Sequence, residues 1–209
     1  PFLTELVYGV TRHKLTLDYD IKKLCKRRVK DLTMTVRNIL RIAVYEIKFM
    51  KTPDYAVVNN CVSTVKVLDK NKKAVSFVNA LLREYIQSKD SIKLPSKEDN
   101  LPYYLSIKHS HPEWMVKKWL DLYSEEDVEK ILIANNEIPP ITIRTNTLKA
   151  SPQQIKTILM ESNIDFTEST LSLGCFNIEK TGNIKNIKGF NEGLWLIQGE
   201  LSSFVIDCL

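Results

Sequence analysis

Apolar residues recur along the first 88 positions with the period of a helix. In the stretch 36–50, VRNILRIAVYEIKFM, residues Val36, Ile39, Leu40, Ala43, Val44, Ile47 and Met50 fall three and four apart, on one helical face. That face predicts a core helix. At 100° per residue, Arg37, Arg41 and Lys48 project within about 40° of one another, beside the apolar stripe. The segment therefore reads as a buried seam flanked by a basic ridge.

The same spacing extends on both sides of it. Leu3, Leu6, Val7 and Val10 predict a helix with no capping residue ahead of it, so its start is expected upstream of Pro1. Leu17, Ile21, Leu24 and Cys25 predict a short amphipathic helix that runs into KRRVK at 26–30. Pro53 cannot continue the central helix and suits a first turn. Beyond it, Val57, Val58, Cys61, Val62, Val65 and Leu68 trace another face. After the polar DKNKK, Val75, Val78, Leu81, Leu82 and Tyr85 trace one more. Residues 1–88 thus predict an all-α bundle without a strand.

Residues 87–100, QSKDSIKLPSKEDN, are polar and contain one Pro, which predicts a linker over 89–100. Ser110 with Glu113, and Ser124 with Asp127, have capping-box spacing ahead of two further helices. The period then changes. ITIRTNT, 141–147, alternates apolar and polar after a double Pro and predicts a strand. Ser151, Pro152 and Gln154 supply N-cap, first-turn Pro and capping-box Gln for a helix through Ile155, Ile158 and Leu159. Strand-like pieces around 171–178 and 194–197, punctuated by glycines, complete a small α/β domain within 101–209.

Charge adds a direction to this plan. Residues 1–100 carry twenty Lys and Arg against eleven Asp and Glu, while residues 101–209 carry ten against fourteen. The positive half is read as facing a polyanion, nucleic acid foremost. No apolar run is long enough to span a bilayer and no signal-peptide pattern opens the chain, so a cytoplasmic location without membrane contact is expected. Cys25, Cys61, Cys175 and Cys208 form no CxxC and are expected as reduced, mostly buried thiols. His109 and His111 have the spacing of one strand face, and without a nearby third ligand no metal is expected. The glycines include no GxG, and no GxSxG or HExxH is present, so the residues alone carry no enzyme's working parts.

ELVYGVTR (5–12), VRNILRIAVYEIKFM (36–50), PDYAVVNNCV (53–62) and FVNALLRE (77–84) resemble the NusB-like RNA-binding domain. The continuation, with HPEWMVKKWL (111–120), ANNEIPPITIRTNTLK (134–149) and GFNEGLWLIQGELSSFVIDCL (189–209), resembles the Sun (RsmB-like) family of ribosomal RNA cytosine-5 methyltransferases. The resemblance implies a multidomain α and α+β chain: an all-α NusB-like bundle, then a small α/β (RRM-like) substrate-positioning domain, leading into a Rossmann-like catalytic domain. It implies S-adenosylmethionine as methyl donor, small-subunit ribosomal RNA as partner, and a covalent mechanism in which a cysteine thiolate adds to C6 of cytosine before C5 is methylated.

The chain departs from that pattern at several points. The family's catalytic cysteines follow Pro and Thr, whereas the four here follow Leu, Asn, Gly and Asp. No glycine-rich donor loop occurs in these residues, the first helix of the NusB-like domain is expected to be missing from them, and Gly199 stands where the family has Asp, with Glu200 beside it. The chain is therefore expected to grip RNA as a monomer, and to be inactive in methyl transfer by itself. Arg12, Lys14, Lys22, Lys23, Lys26, Arg27, Arg28, Arg37 and Arg41 are the expected phosphate contacts, with Arg144 and Asn146 on the strand edge. A non-catalytic NusB-type antitermination adapter, or a helical protein-interaction module, remains the alternative.

Overall fold

The computed structural model describes residues 2–25, 28–50, 52–69, 72–179 and 182–208. Among them, the central apolar stretch forms α3, Met34–Phe49. Thr33 starts it, its hydroxyl accepting from the Val36 amide at 3.4 Å. Leu40, Ala43 and Val44 are fully buried and Val36, Ile39 and Ile47 nearly so, as their spacing demands. Around α3 pack α1 (Phe2–Arg12), α2 (Lys14–Leu24), α4 (Asp54–Leu68) and α5 (Lys72–Ser88). They close one core, into which α2 puts Leu17 and Ile21, α4 puts Val57 and Val65, and α5 puts Val78, Leu82 and Tyr85. Pro53 is the N-cap of α4 rather than a first-turn residue.

Helix α1 meets α3 where Gly9 faces Tyr45. A Cβ on Gly9 would lie 2.0 Å from the Tyr45 ring and hydroxyl, so only glycine allows this approach. The same hydroxyl donates to Glu5 at 2.6 Å, tying the two helices together. Burial, then the bond to Glu5, push the Tyr45 pKa up to about 12.

The polar stretch 87–100 straps the bundle. Lys89–Ser91 form a 3-10 turn, Ile92 packs against the bundle core, and the Tyr19 hydroxyl donates to the Lys93 carbonyl at 2.9 Å. Next, α6 (Leu101–His109) docks on α2. The Thr16 hydroxyl donates to the Ile107 carbonyl at 2.6 Å, and the Leu15 amide donates to the Ser110 hydroxyl at 2.9 Å. With α7 (Glu113–Leu120) and α8 (Glu125–Asn136), α6 closes a second core of Leu105, Val116, Val128 and Leu132.

Two sequence readings change here. Ser110 ends α6 in a left-handed conformation, φ 58°, and Pro112 is the N-cap of α7, because the Ser110 hydroxyl is taken by α2. His109 and His111 consequently lie on a helix end and in the following loop, not on a strand. By packing, the chain forms two compact units, Pro1–Glu137 and Ile138–Leu209.

The second unit is a four-stranded antiparallel sheet with helices. Its elements are β1 (Ile141–Thr145), α9 (Pro152–Glu161), β2 (Phe166–Glu168), β3 (Cys175–Ile178), β4 (Trp195–Ile197) and α10 (Glu200–Asp207), with strand order β2-β3-β1-β4. Ile143 of β1 pairs with Phe176 and Ile197 and is fully buried, in one core with Ile155 and Leu159 of α9. The capping box of α9 forms, with Gln154 N to Ser151 Oγ at 3.3 Å and Ser151 N to Gln154 Oε1 at 2.7 Å. Strand β2 escapes sequence reading because only Phe166 of its three residues is apolar, so no apolar pattern marks it. Gly189, φ 93°, lets the buried Trp195 indole close on the turn and donate to the Lys188 carbonyl at 3.0 Å. Cys25, Cys61 and Cys175 are buried free thiols and Cys208 is exposed.

Among the described residues no helix is long and apolar enough to cross a membrane, and no group of three His, Cys, Asp or Glu is placed to hold a metal ion. Gly9→Ala is expected to lower unfolding free energy by about 1–3 kcal/mol, read by chemical denaturation, because Tyr45 must leave its place. An unchanged midpoint would show that α1 slides freely on α3.

Candidate nucleic-acid interface

The basic ridge of α3 faces α2, and α2 answers it with carboxylates. Arg41 donates through Nε and Nη2 to the two oxygens of Asp18 at 2.7 Å each, and through Nη1 to Asn38 at 3.2 Å. Lys48 donates to Asp20 at 2.7 Å, and the same oxygen accepts from the Tyr85 hydroxyl at 3.3 Å. Asp20 is only 3% exposed, and a carboxylate so buried is tolerable only with such partners. Burial, reinforced by Asp20, raises the Tyr85 pKa. Arg37 is half-buried, and its Nε has no hydrogen-bond partner among the described residues. Arg41, expected on phosphate, is thus taken up by Asp18 of α2.

The remaining cations divide differently. Lys14, Lys22 and Lys23 stand exposed on α2, with the Lys23 ammonium 5.0 Å from the Tyr19 ring centroid. Among the described residues none of the three carries an ion pair. Arg28 is exposed and pairs with Asp31 at 2.8 Å, while Arg12 is half-buried at the end of α1. Lys26 and Arg27 lie outside the described residues.

In the second unit, the two expected contacts are occupied by their own fold. Arg144 reaches Gln198 at 3.3 Å and Asp207 at 3.5 Å. Asn146 holds the turn after β1, donating to the Gly193 carbonyl at 2.8 Å and accepting from the Leu148 amide at 3.2 Å. Gly199 is the N-cap of α10, and Glu200 behind it accepts from the Ser169 hydroxyl at 2.5 Å.

One cationic feature has no sequence signature, because its residues are scattered from position 13 to position 136. A cleft of about 360 Å³ in the first unit gathers Lys48, Lys89 and Lys108 with His13, His109 and Phe49. The His13 and Phe49 rings stack, 4.3 Å between centroids and 23° apart in plane. Each lysine is paired on one side: Lys48 with Asp20, Lys89 with Asp54 at 3.1 Å, and Lys108 with Glu129 at 2.6 Å. Each also keeps about a third of its side chain exposed, at 36%, 31% and 37%. Burial first, then the charges of Arg12 and Lys48, hold the His13 pKa below its ordinary value, so the ring is neutral at pH 7. Burial lowers His111 in the same way, against a bond to the His109 carbonyl that raises it.

Residues 1–87 match the NusB family, and residues 111–185 match the ferredoxin-like domain of RsmF/B-like methyltransferases. Over 99% of its length the chain is 32% identical to the probable ribosomal RNA small subunit methyltransferase B of Bacillus subtilis (strain 168). It is 29% identical to the protein of that description from Synechocystis sp. over its whole length. The chain spans about half of these relatives, 45% and 46% of their lengths. In fold it is similar to the crystal structure of PH0851, with a TM-score of 0.71 and 20% identity over 94% of this chain and 44% of that one.

Arg41→Ala strands Asp18 and is expected to cost about 1–3 kcal/mol of stability in chemical denaturation. Lys22→Glu with Lys23→Glu is expected to cost about 1–2 kcal/mol, from the lost Lys23–Tyr19 contact and two carboxylates in the last turn of α2. For His13, the depressed folded pKa means that the unfolded chain binds more protons below pH 6.5. His13 therefore costs stability as pH falls through that value. His13→Gln is expected to gain stability relative to the unsubstituted chain between pH 7.5 and pH 5.5, and parallel pH profiles would refute this.

Proposed function

Because the chain belongs to the Sun/RsmB-like proteins, joining a NusB-family domain to an RsmF/B-like ferredoxin-like domain, we propose that it is the RNA-holding part of a ribosomal RNA methyltransferase. The target is cytosine C5 in small-subunit ribosomal RNA, and the methyl donor is S-adenosylmethionine. The observation that carries this reading is the order of the two matched domains across one chain. Residues 1–88 hold RNA through exposed lysines of α2, and the domain following the strap positions the substrate.

The reaction needs the target base out of its stack, which costs a few kcal/mol. Grip on flanking RNA supplies that energy. A methyl donor of this kind needs a glycine cradle after a strand, and the residues present do not provide one. Gly174, Gly189 and Gly193, the glycines with positive φ, lie in turns of the second unit, and the chain has no GxG. The four cysteines likewise lack the Pro and Thr neighbours of the family's catalytic pair. On this reading gripping is the work of this chain, and methyl transfer is not expected from these residues by themselves.

The test is titration of the chain with a small-subunit ribosomal RNA fragment at several salt concentrations, alongside a radiolabelled methyl-transfer assay. Binding should weaken with salt at a log-log slope of about −0.7 per single-strand phosphate contacted, with no methyl incorporated. Lys22→Glu with Lys23→Glu should weaken binding and flatten that slope. Salt-independent binding, or methylation by this chain alone, would overturn the reading.

A further inference from the structure

Lys48, Lys89 and Lys108 surround an aromatic stack, and that combination is a ligand chemistry distinct from a row of surface lysines. Lys48 comes from the last turn of α3, Lys89 from the strap and Lys108 from α6, so the cleft exists only because α6 docks on α2. Each ammonium has three donors, of which the pairing carboxylate takes one, and the exposed remainder is available to a phosphate. Phe49 lines the cleft, is backed by His13, and is 44% exposed. Tyr45 supports it from behind at 5.2 Å between ring centroids. At about 360 Å³ the cleft is of the size of small-ligand sites. A larger cleft of about 540 Å³ in the same unit is lined by three carboxylates, Asp31, Asp69 and Glu84, against one lysine, Lys73.

We propose that this cleft takes one unpaired nucleotide of bound RNA, its base stacked on Phe49 and its flanking phosphates on Lys89 and Lys108. The proposal rests on the RNA-holding reading above and places part of that grip at a definite site. Stacking suits this role because every base has a π-face and no particular sequence is demanded. Lys48 stays committed to the buried Asp20 and closes the floor of the cleft. Lys89 and Lys108 pair with the more exposed Asp54 and Glu129, at 35% and 29%, and can exchange a carboxylate for a phosphate at less cost. An acidic protein segment would satisfy the lysines but would leave the stacked rings unused, so RNA is the better fit.

The experiment is fluorescence anisotropy of the 209-residue chain with a labelled twelve-nucleotide single-stranded RNA, across a salt series. Phe49→Ala should weaken binding by about tenfold while leaving the salt slope unchanged. Lys89→Ala with Lys108→Ala should reduce the slope by about 1.4, for two lost phosphates. Lys117→Ala with Lys130→Ala removes the same charge from residues that do not line the cleft, and should change little. Phe49→Trp guards against a folding artefact: it keeps the stack and should bind at least as well as the unsubstituted chain. In that chain, 4-thiouridine-substituted RNA should crosslink to His13 or Phe49 on irradiation, read by peptide mass spectrometry.

Unchanged binding in Phe49→Ala, with crosslinks only on α2, would overturn the proposal while the RNA-holding reading stood. Equal losses in the two double-lysine variants would also overturn it, by showing a general charge effect. No binding by the unsubstituted chain at low salt would overturn both.

Discussion

The carboxylates of α2 and the cations of α3 set the terms for the first unit. Asp20 sits almost wholly inside the protein, and it is stable there because Lys48 and the Tyr85 hydroxyl both reach the same oxygen. Two residues earlier, Asp18 receives both arms of Arg41. Breaking one partner of such a pair leaves a desolvated charge, which costs far more than an exposed pair contributes. The α2–α3 angle is therefore fixed by chemistry as well as by packing. Two of the three cations of α3's basic ridge are consumed in that seam, whereas Lys14, Lys22 and Lys23 of α2 face solvent.

Helix α2 also organises the second half of its unit. Its first turn is tied to α6 through Thr16 and Leu15, while Tyr19 holds the strap at Lys93. One short helix thus binds the bundle on one side and the following helices on the other. The cleft lined by Lys48, Lys89 and Lys108 is a product of this arrangement, since each lysine arrives on a different segment.

How far the sequence could be read follows from the range of the forces involved. Elements stabilised by periodic burial were legible: Leu40, Ala43 and Val44 on α3, Val57 and Val65 on α4, and Ile143 on β1 all lie where spacing puts them. Capping was legible where it is local, as at Ser124 and Ser151, and misleading at Ser110, whose hydroxyl is claimed by an amide 95 residues away. The candidate site was less legible. Arg41 looks the same in sequence whether it meets a phosphate or Asp18, because periodicity locates a side chain on a helix but not the charge opposite it. Phe49 and His13, 36 positions apart, show no pattern at all before the fold stacks them.

The Ser110 hydroxyl has one more effect. An orphan amide at the start of a helix is ordinarily capped by the residue just before it, so that the helix can fray and re-form alone. Here the amide of Leu15 is satisfied from the far end of α6. Loss of α6 would expose that amide, release Thr16 and loosen the start of α2 together. The two segments therefore open as one cooperative unit, and whatever stiffens α6 also stiffens the helix that presents Lys14, Lys22 and Lys23.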